Sequence, residues 1–199
     1  MAEKDIFQNT IAVTDRHLCT RPFLEQIEAV LRLGPRALIL REKDMREEEY
    51  EELARQVLPL CEAFRVPCIF HSFSQTAGKL HGDGIHFPLH RLEEEAGAGF
   101  PFTGASVHSP REAERAEELG ASYVIAGHIF RTGCKPGLPP RGLDFLKEVC
   151  GAVNIPVYAI GGMELNENCL RLVQEAGAAG MCVMSGFMKE IIEKSPLDK

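Results

Sequence analysis

The 199 residues predict a small α/β fold, a (β/α)8 TIM barrel, on three observations. Eight short apolar runs recur along the chain, and each ends in glycine or polar residues, as the strands of a closed parallel barrel do. Segments with helical spacing separate them. The chain is 45% hydrophobic and carries no linker, low-complexity tract or close internal repeat, so residues 1–199 are expected to form one barrel domain. Roughly 250 residues is usual for this fold, so trimmed loops are expected. The competing arrangement is an open doubly wound sheet of five or six strands. Eight strand–helix units with no second domain favour the barrel.

The elements follow in order. Ile11 to Asp15 reads as a strand, and Phe23 to Leu33 as a helix stopped near Gly34-Pro35. Ala37 to Leu40 is the second strand, ending in Arg41-Glu42-Lys43-Asp44, before a long amphipathic helix from Glu47 to Phe64. Val66 to Phe70 is the third strand, ended by His71-Ser72, with a short helix from Ser74 to Leu80. Gly84 to Phe87 is the fourth, ended by Pro88 and followed by an irregular helix from Leu89 to Ala98. Phe102 to Val107 is the fifth, then Arg111 to Leu119 a helix with Pro110 near its start. Tyr123 to Ala126 is the sixth, ending in Gly127-His128. A Gly/Pro-rich loop leads to a helix from Leu143 to Cys150. Ile155 to Ile160 is the seventh, ending in Gly161-Gly162, with a helix from Asn166 to Ala176. Gly180 to Met184 is the eighth, ending in Ser185-Gly186, and Phe187 to Ile192 begins the last helix.

Composition excludes several classes. No apolar run approaches the roughly 20 residues that span a bilayer, so no membrane association is expected. The N-terminus lacks a basic, apolar, cleavable pattern. Seven cysteines are scattered with no Cys-x-x-Cys pair, which fits reduced thiols and a cytoplasmic location. Cys61, Cys68 and Cys182 read as core residues. A net charge of −7 without a basic stripe argues against nucleic-acid binding.

The candidate chemistry lies where strands end. Glycine amides approach phosphate oxygens without a side chain in the way, and barrel phosphate sites commonly form after strands seven and eight. Gly161, Gly162, Ser185 and Gly186 occupy those turns. The alternative is that strand-to-helix turns often need glycine anyway. His128 and His108 end neighbouring strands and can face the mouth, while His71 ends strand three. Histidine accepts and returns protons near neutral pH. Three histidines can also hold zinc, but no His-x-His or His-x-x-x-His pair lies at the mouth, so no metal is expected. His86, between Ile85 and Phe87, reads as a packed histidine with one satisfied nitrogen. Arg41 and Lys43 alternate onto one side of their strand, and Thr132 and Lys135 follow strand six. Arg41 is suited to a carboxylate partner, or to an internal ion pair closing the barrel top.

Five ordered motifs resemble the thiamine phosphate synthase superfamily: Arg41 to Asp44, Ser106 to Ser109, Gly127 to Lys135, Ala159 to Met163 and Val183 to Gly186. The resemblance covers nearly the whole chain and implies a (β/α)8 barrel. The synthase branch joins a pyrimidine diphosphate to a thiazole phosphate using magnesium. Its pattern has Gln two residues before the strand-two arginine, Asn-Asp after strand three, a second aspartate after strand four and Thr-x-Thr-Lys after strand six. Here Ile39, His71-Ser72, Arg91 and Thr132-Gly133-Cys134-Lys135 stand in those places. A magnesium diphosphate needs hard carboxylate ligands, and both are missing.

The thiazole tautomerase branch is similar in Gly-His-x-Phe-x-Thr-x-Cys-Lys-x-Gly, matched by Gly127 to Gly137, and in Arg141-Gly142. The synthase usually has proline where His128 stands. The tautomerase converts a non-aromatic carboxythiazole ethyl phosphate to its aromatic form in thiamine biosynthesis, without metal or other cofactor. The resemblance implies that His128 is the catalytic residue. Arg41, Lys43, His108, Thr132, Lys135, Gly161, Gly162, Ser185 and Gly186 are the expected substrate-binding set. His71 departs from the asparagine this branch tends to keep. The partner implied is a small-molecule thiazole phosphate, and a homodimer is expected because small barrels often pair. Two other readings remain: a synthase-like transferase with an altered metal site, and a non-catalytic regulator that binds a thiazole or thiamine phosphate.

Overall fold

The computed structural model describes residues 3–95, 99–133 and 137–189. Eight parallel strands pair in sequence order and β8 closes onto β1. They are β1 (Thr10–Val13), β2 (Ala37–Leu40), β3 (Cys68–His71), β4 (Gly84–Pro88), β5 (Phe102–Val107), β6 (Tyr123–Gly127), β7 (Val157–Ile160) and β8 (Gly180–Val183). Nine α-helices are described: α1 (Glu3–Gln8), α2 (Phe23–Arg32), α3 (Glu47–Phe64), α4 (Ser74–Lys79), α5 (Leu89–Glu94), α6 (Pro110–Glu118), α7 (Gly142–Ala152), α8 (Glu167–Glu175) and α9 (Ser185–Met188). The expected helix α3 has the bounds read from its apolar spacing. The polar lead holds a short helix, α1, that the sequence pattern did not announce. Among the described residues no helix is long and apolar enough to cross a membrane.

Alternation along the strands makes two cores. Outward residues such as Leu38, Phe70, Ile85 and Val124 pack under the helices with Ile27, Val30, Val57 and Leu170. Inward residues form a smaller cluster of Ile11, Val13, Ala37, Ile39, Ile69, Tyr123, Ile125, Tyr158 and Cys182. A strand buried on both faces must be apolar at every position, which is why these runs show no polar alternation in sequence. Tyr123 enters the interior across Gly104, where an added Cβ would lie 2.1 Å from its Cζ. That interior space exists only because β5 carries no side chain there.

Helix starts use local chemistry. Ser109 accepts from Glu112 N at 3.1 Å ahead of Pro110, and Asn166 accepts from Cys169 N at 2.8 Å. Such caps satisfy amides that have no partner inside the helix, each contributing about 1 kcal/mol. Cys61, Cys68 and Cys182 are buried free thiols, as their apolar settings predict.

Candidate active site

Period two along each strand carries the inward series past the apolar layers to the C-terminal rim. Ile39 is followed inward by Arg41 and Lys43, Ile69 by His71, His86 by Pro88, Ser106 by His108, and Ile125 by Gly127. All of these but Ile69 line one cavity of about 270 Å³, closed on the β7–β8 side by Ile160, Gly161, Gly162, Met163, Met184 and Ser185. His128 and Thr132 complete the lining from the loop after β6. Thus eight of the ten expected site residues surround one space. Gly186 does not line it: its Cα faces Val183 and Leu165, where an added Cβ would come within 3.0 Å of Val183 Cγ1. Lys135 lies outside the described residues.

His128 sits in the cavity wall and is 6% exposed. Among the described residues both its ring nitrogens are sealed from solvent and have no hydrogen-bond partner. A buried polar atom left in that state costs about 1–3 kcal/mol. Its backbone is tied on two sides. The His128 carbonyl accepts from Arg141 N at 3.0 Å, and the next amide, Ile129 N, donates to Ile160 O at 2.9 Å. The loop from β6 therefore closes on its own base and lies along β7. The Gly127–His128 peptide bond is cis.

The glycine pair after β7 makes that approach possible. Gly161 has φ +101°, and a Cβ on it would lie 2.4 Å from His128 Cβ. Gly162 has φ +68°, and a Cβ there would lie 2.4 Å from Arg131 O. Backbone at positive φ suits glycine, but the sharper demand is steric. Phe130 N donates to Gly161 O at 2.9 Å, so the two segments run in direct backbone contact.

The Arg41 to Asp44 motif divides by face. Glu42 is buried, accepting from Thr14 Oγ1 at 2.7 Å and from Arg16 Nη1 at 3.0 Å. Asp44 takes a bidentate pair from the same guanidinium and meets His17 Nε2 at 3.0 Å. Hydrogen bonds from Arg16 and His17 hold the Asp44 carboxyl well below the usual range. Thr14 Oγ1 also accepts from Arg41 N at 2.8 Å. Both acids are thereby engaged by the β1–α2 connection, and neither lines the cavity. Arg41 makes no ion pair with a described residue; its Nη1 lies 3.9 Å from Met184 Sδ. The internal ion pair considered for it is not formed.

Two histidines lining the cavity are neutral. Burial, then Arg41 and Lys43, pull the His71 ring down to about 3. Burial, with His71, Arg41 and Lys43 adding to it, holds His86 well below its ordinary value. His86 has both nitrogens satisfied, at 3.2 Å from Tyr123 Oη and 2.8 Å from Ser106 Oγ, where one was expected. Sequence reading missed Ser106 and Tyr123 as its partners. Across the β4–β5 ladder His86 pairs with Gly104 and Pro88 with Ser106, so the small Gly104 and the two-residue spacing to Ser106 carried the signal for that partner. His108 Nδ1 lies 3.0 Å from Gly127 O.

Comparison with known proteins agrees with this architecture. The family model described as thiamine monophosphate synthase matches residues 10–187. The chain is 35% identical over 185 residues to the thiamine-phosphate synthase of Desulfitobacterium hafniense, covering 89% of this chain and 88% of that protein. It is 32% identical over 174 residues to that of Coprothermobacter proteolyticus, covering 85% and 81%. Among solved structures, thiamine phosphate pyrophosphorylase from Pyrococcus furiosus superposes with a TM-score of 0.77 at 28% identity, covering 95% of this chain and 91% of that one. With a barrel closed in this strand order and a matched span running from the first strand to the last helix, the chain belongs to the thiamine monophosphate synthase family.

Proposed function

We propose that this member of the family is a thiazole tautomerase, moving one proton within a carboxythiazole ethyl phosphate. The observation that carries the reading is His128: an imidazole in the wall of the cavity whose nitrogens have no partner among the described residues, in a lining that, among those residues, contains no aspartate or glutamate. An imidazole can take a proton from carbon and return it to carbon, provided nothing else occupies its lone pair.

The step balances without a co-reactant. His128 takes the ring proton beside the carboxylate, and that C–H pair moves into the ring. The exocyclic double bond then uses its pair to bond the proton returned by His128, leaving an aromatic ring and a saturated side chain. Aromatisation drives the reaction, so the protein has to relay one proton and hold the anion. Gly161, Gly162, Ser185 and Gly186 are our proposed phosphate side, with Gly186 acting through its turn. Arg41, Lys43, Thr132 and Lys135 supply charge and hydrogen bonds around the mouth, and His108 braces the carbonyl before the base. A homodimer remains part of this reading.

The second reading is the transferase named in the relatives, thiamine-phosphate synthase. In the resembling branch it requires magnesium on a diphosphate. The residues here do not fit that ion. His71 ends β3 and Ser72 follows it, and Arg91 on α5 pairs with Glu94 and Glu95 of its own turn. Among the described residues no cluster of three acidic, histidine or cysteine side chains forms a metal site. Magnesium prefers carboxylate oxygen, and the cavity offers histidine, arginine and lysine instead. The deciding experiment supplies the non-aromatic thiazole carboxylate phosphate and follows aromatic absorbance. A parallel assay supplies pyrimidine diphosphate, thiazole phosphate and magnesium. Absorbance growth in the first supports the tautomerase; product only in the second establishes the transferase. A protein that binds the aromatic phosphate but exchanges no proton in deuterated water would be a regulator.

A further inference from the structure

Three inward positions place polar groups in the cavity wall: His71 on β3, His86 on β4 and Ser106 on β5. The last two satisfy each other, and Tyr123 takes the remaining nitrogen of His86. His71 is different. Its Nδ1 lies 3.0 Å from Ser72 Oγ, and its Nε2 has no partner among the described residues, although the side chain borders the cavity.

The ring is also held in place. Tyr50, fully buried on α3, sets its hydroxyl between β2 and β3. It donates to Leu40 O at 2.6 Å and accepts from His71 N at 3.1 Å. The clasp sits where the ladder Leu40–Phe70 ends and the rim residues Arg41 and His71 begin. The His86 ring backs His71 at a centroid separation of 5.8 Å. A backbone clasp, a bonded Nδ1 and a ring behind leave one imidazole nitrogen available to the cavity.

We infer that His71 determines specificity here, its Nε2 hydrogen-bonding a polar atom of the ligand's heterocycle while the phosphate is held elsewhere at the rim. The inference rests on the proposed thiazole phosphate site. Charge separates the two tasks. His71 stays uncharged because burial and the neighbouring Arg41 and Lys43 oppose protonation, with neutral His86 behind it. The cationic pair at the mouth attracts the anion, and the neutral imidazole reads the ring. A site built to hydrogen-bond a ring atom rejects an isostere lacking it, because the protein group is then left unpaired. The ligand class is therefore a ring phosphate with a ring nitrogen or a polar substituent, not a carbocyclic phosphate of equal size.

The test is calorimetric binding of 4-methylthiazol-5-yl-ethyl phosphate and of 2-phenylethyl phosphate to the full chain. The unaltered protein is expected to prefer the thiazole by roughly tenfold or more. His71→Leu is expected to lose that preference while retaining its affinity for phenylethyl phosphate. Preference retained in His71→Leu, or an equal loss for both ligands, overturns the inference. Should His71→Leu fail to fold, His71→Asn and the ¹⁵N resonance of His71 Nε2 in the unaltered protein answer the same question. A resonance unmoved by the thiazole ligand counts against the proposal. Isomerisation is scored separately. Discrimination through His71 without isomerisation removes the tautomerase reading alone, and isomerisation without discrimination removes this inference alone.

Discussion

His108 Nδ1 lies 3.0 Å from the carbonyl oxygen of Gly127, the residue bonded directly to His128. A carbonyl only accepts, so Nδ1 carries the proton of this bond. The bond links the end of β5 to the backbone that sets down the proposed base. On this geometry His108→Ala lowers kcat about tenfold with little change in KM. Steady-state kinetics on the carboxythiazole phosphate check it; a rise in KM alone would make His108 a substrate ligand instead.

His128→Asn is expected to preserve the fold and reduce isomerisation by roughly 10²–10⁴-fold, the range for losing a general acid–base. Because the ring nitrogens make no hydrogen bond among the described residues, no bonded partner there is orphaned and the melting temperature should change little. Circular dichroism and the absorbance assay together read this. A retained rate would assign proton transfer to another group.

Gly161→Ala tests the contact between the β6 and β7 loops. The new Cβ would sit 2.4 Å from His128 Cβ at a φ of +101°. Displacing a catalytic group by about 1 Å costs on the order of 10²-fold, and the strained backbone roughly 1–3 kcal/mol. We expect kcat to fall further than stability alone explains at a temperature where the variant is folded. Unaltered kcat with weaker phosphate binding would show that Gly161 serves the anion only.

Stability should fall in acid through His71 and His86. Folded, His71 titrates near 3 and His86 well below its ordinary value, whereas each titrates at about 6.5 when unfolded. Below that value the unfolded chain binds more protons, so unfolding free energy drops as pH falls from about 6.5 toward 3. The slope approaches about 1.4 kcal/mol per pH unit for each histidine, and the stabilisation is fully present above pH 6.5. Urea melts at several pH values measure it, and His71→Asn should remove about one proton from the slope. An unchanged slope would place the titration elsewhere.

Chelation should leave the isomerisation rate unchanged. Among the described residues the cavity lining carries no carboxylate, and Glu42 and Asp44 are engaged by Arg16. Rates with and without EDTA decide it. Activity lost on chelation and restored by magnesium would favour the transferase.

The sequence by itself determined the barrel, because strands buried on both faces must be apolar and must end where a polar rim begins. Four strands, β1, β3, β7 and β8, run one or two residues shorter than their apolar runs, and β4 and β6 one residue longer, since the ladder decides where pairing stops. It also determined which residues reach the rim, as period two carries Arg41, His71, His108 and Gly127 inward from their strands. Only the tertiary structure decided what they do there. Gly161 and Gly162 look like phosphate turns in one dimension, and the fold shows a second demand on them, the close passage of the β6 loop. Glu42 and Asp44 stand between Arg41 and Lys43 in sequence, yet Arg16 and Thr14, about 28 residues earlier, draw the acids away from the cavity. The neutrality of His71 and the Tyr50 clasp are likewise invisible in the chain. Burial, close approach and partnership depend on segments brought together by barrel closure, and no local pattern encodes those distances.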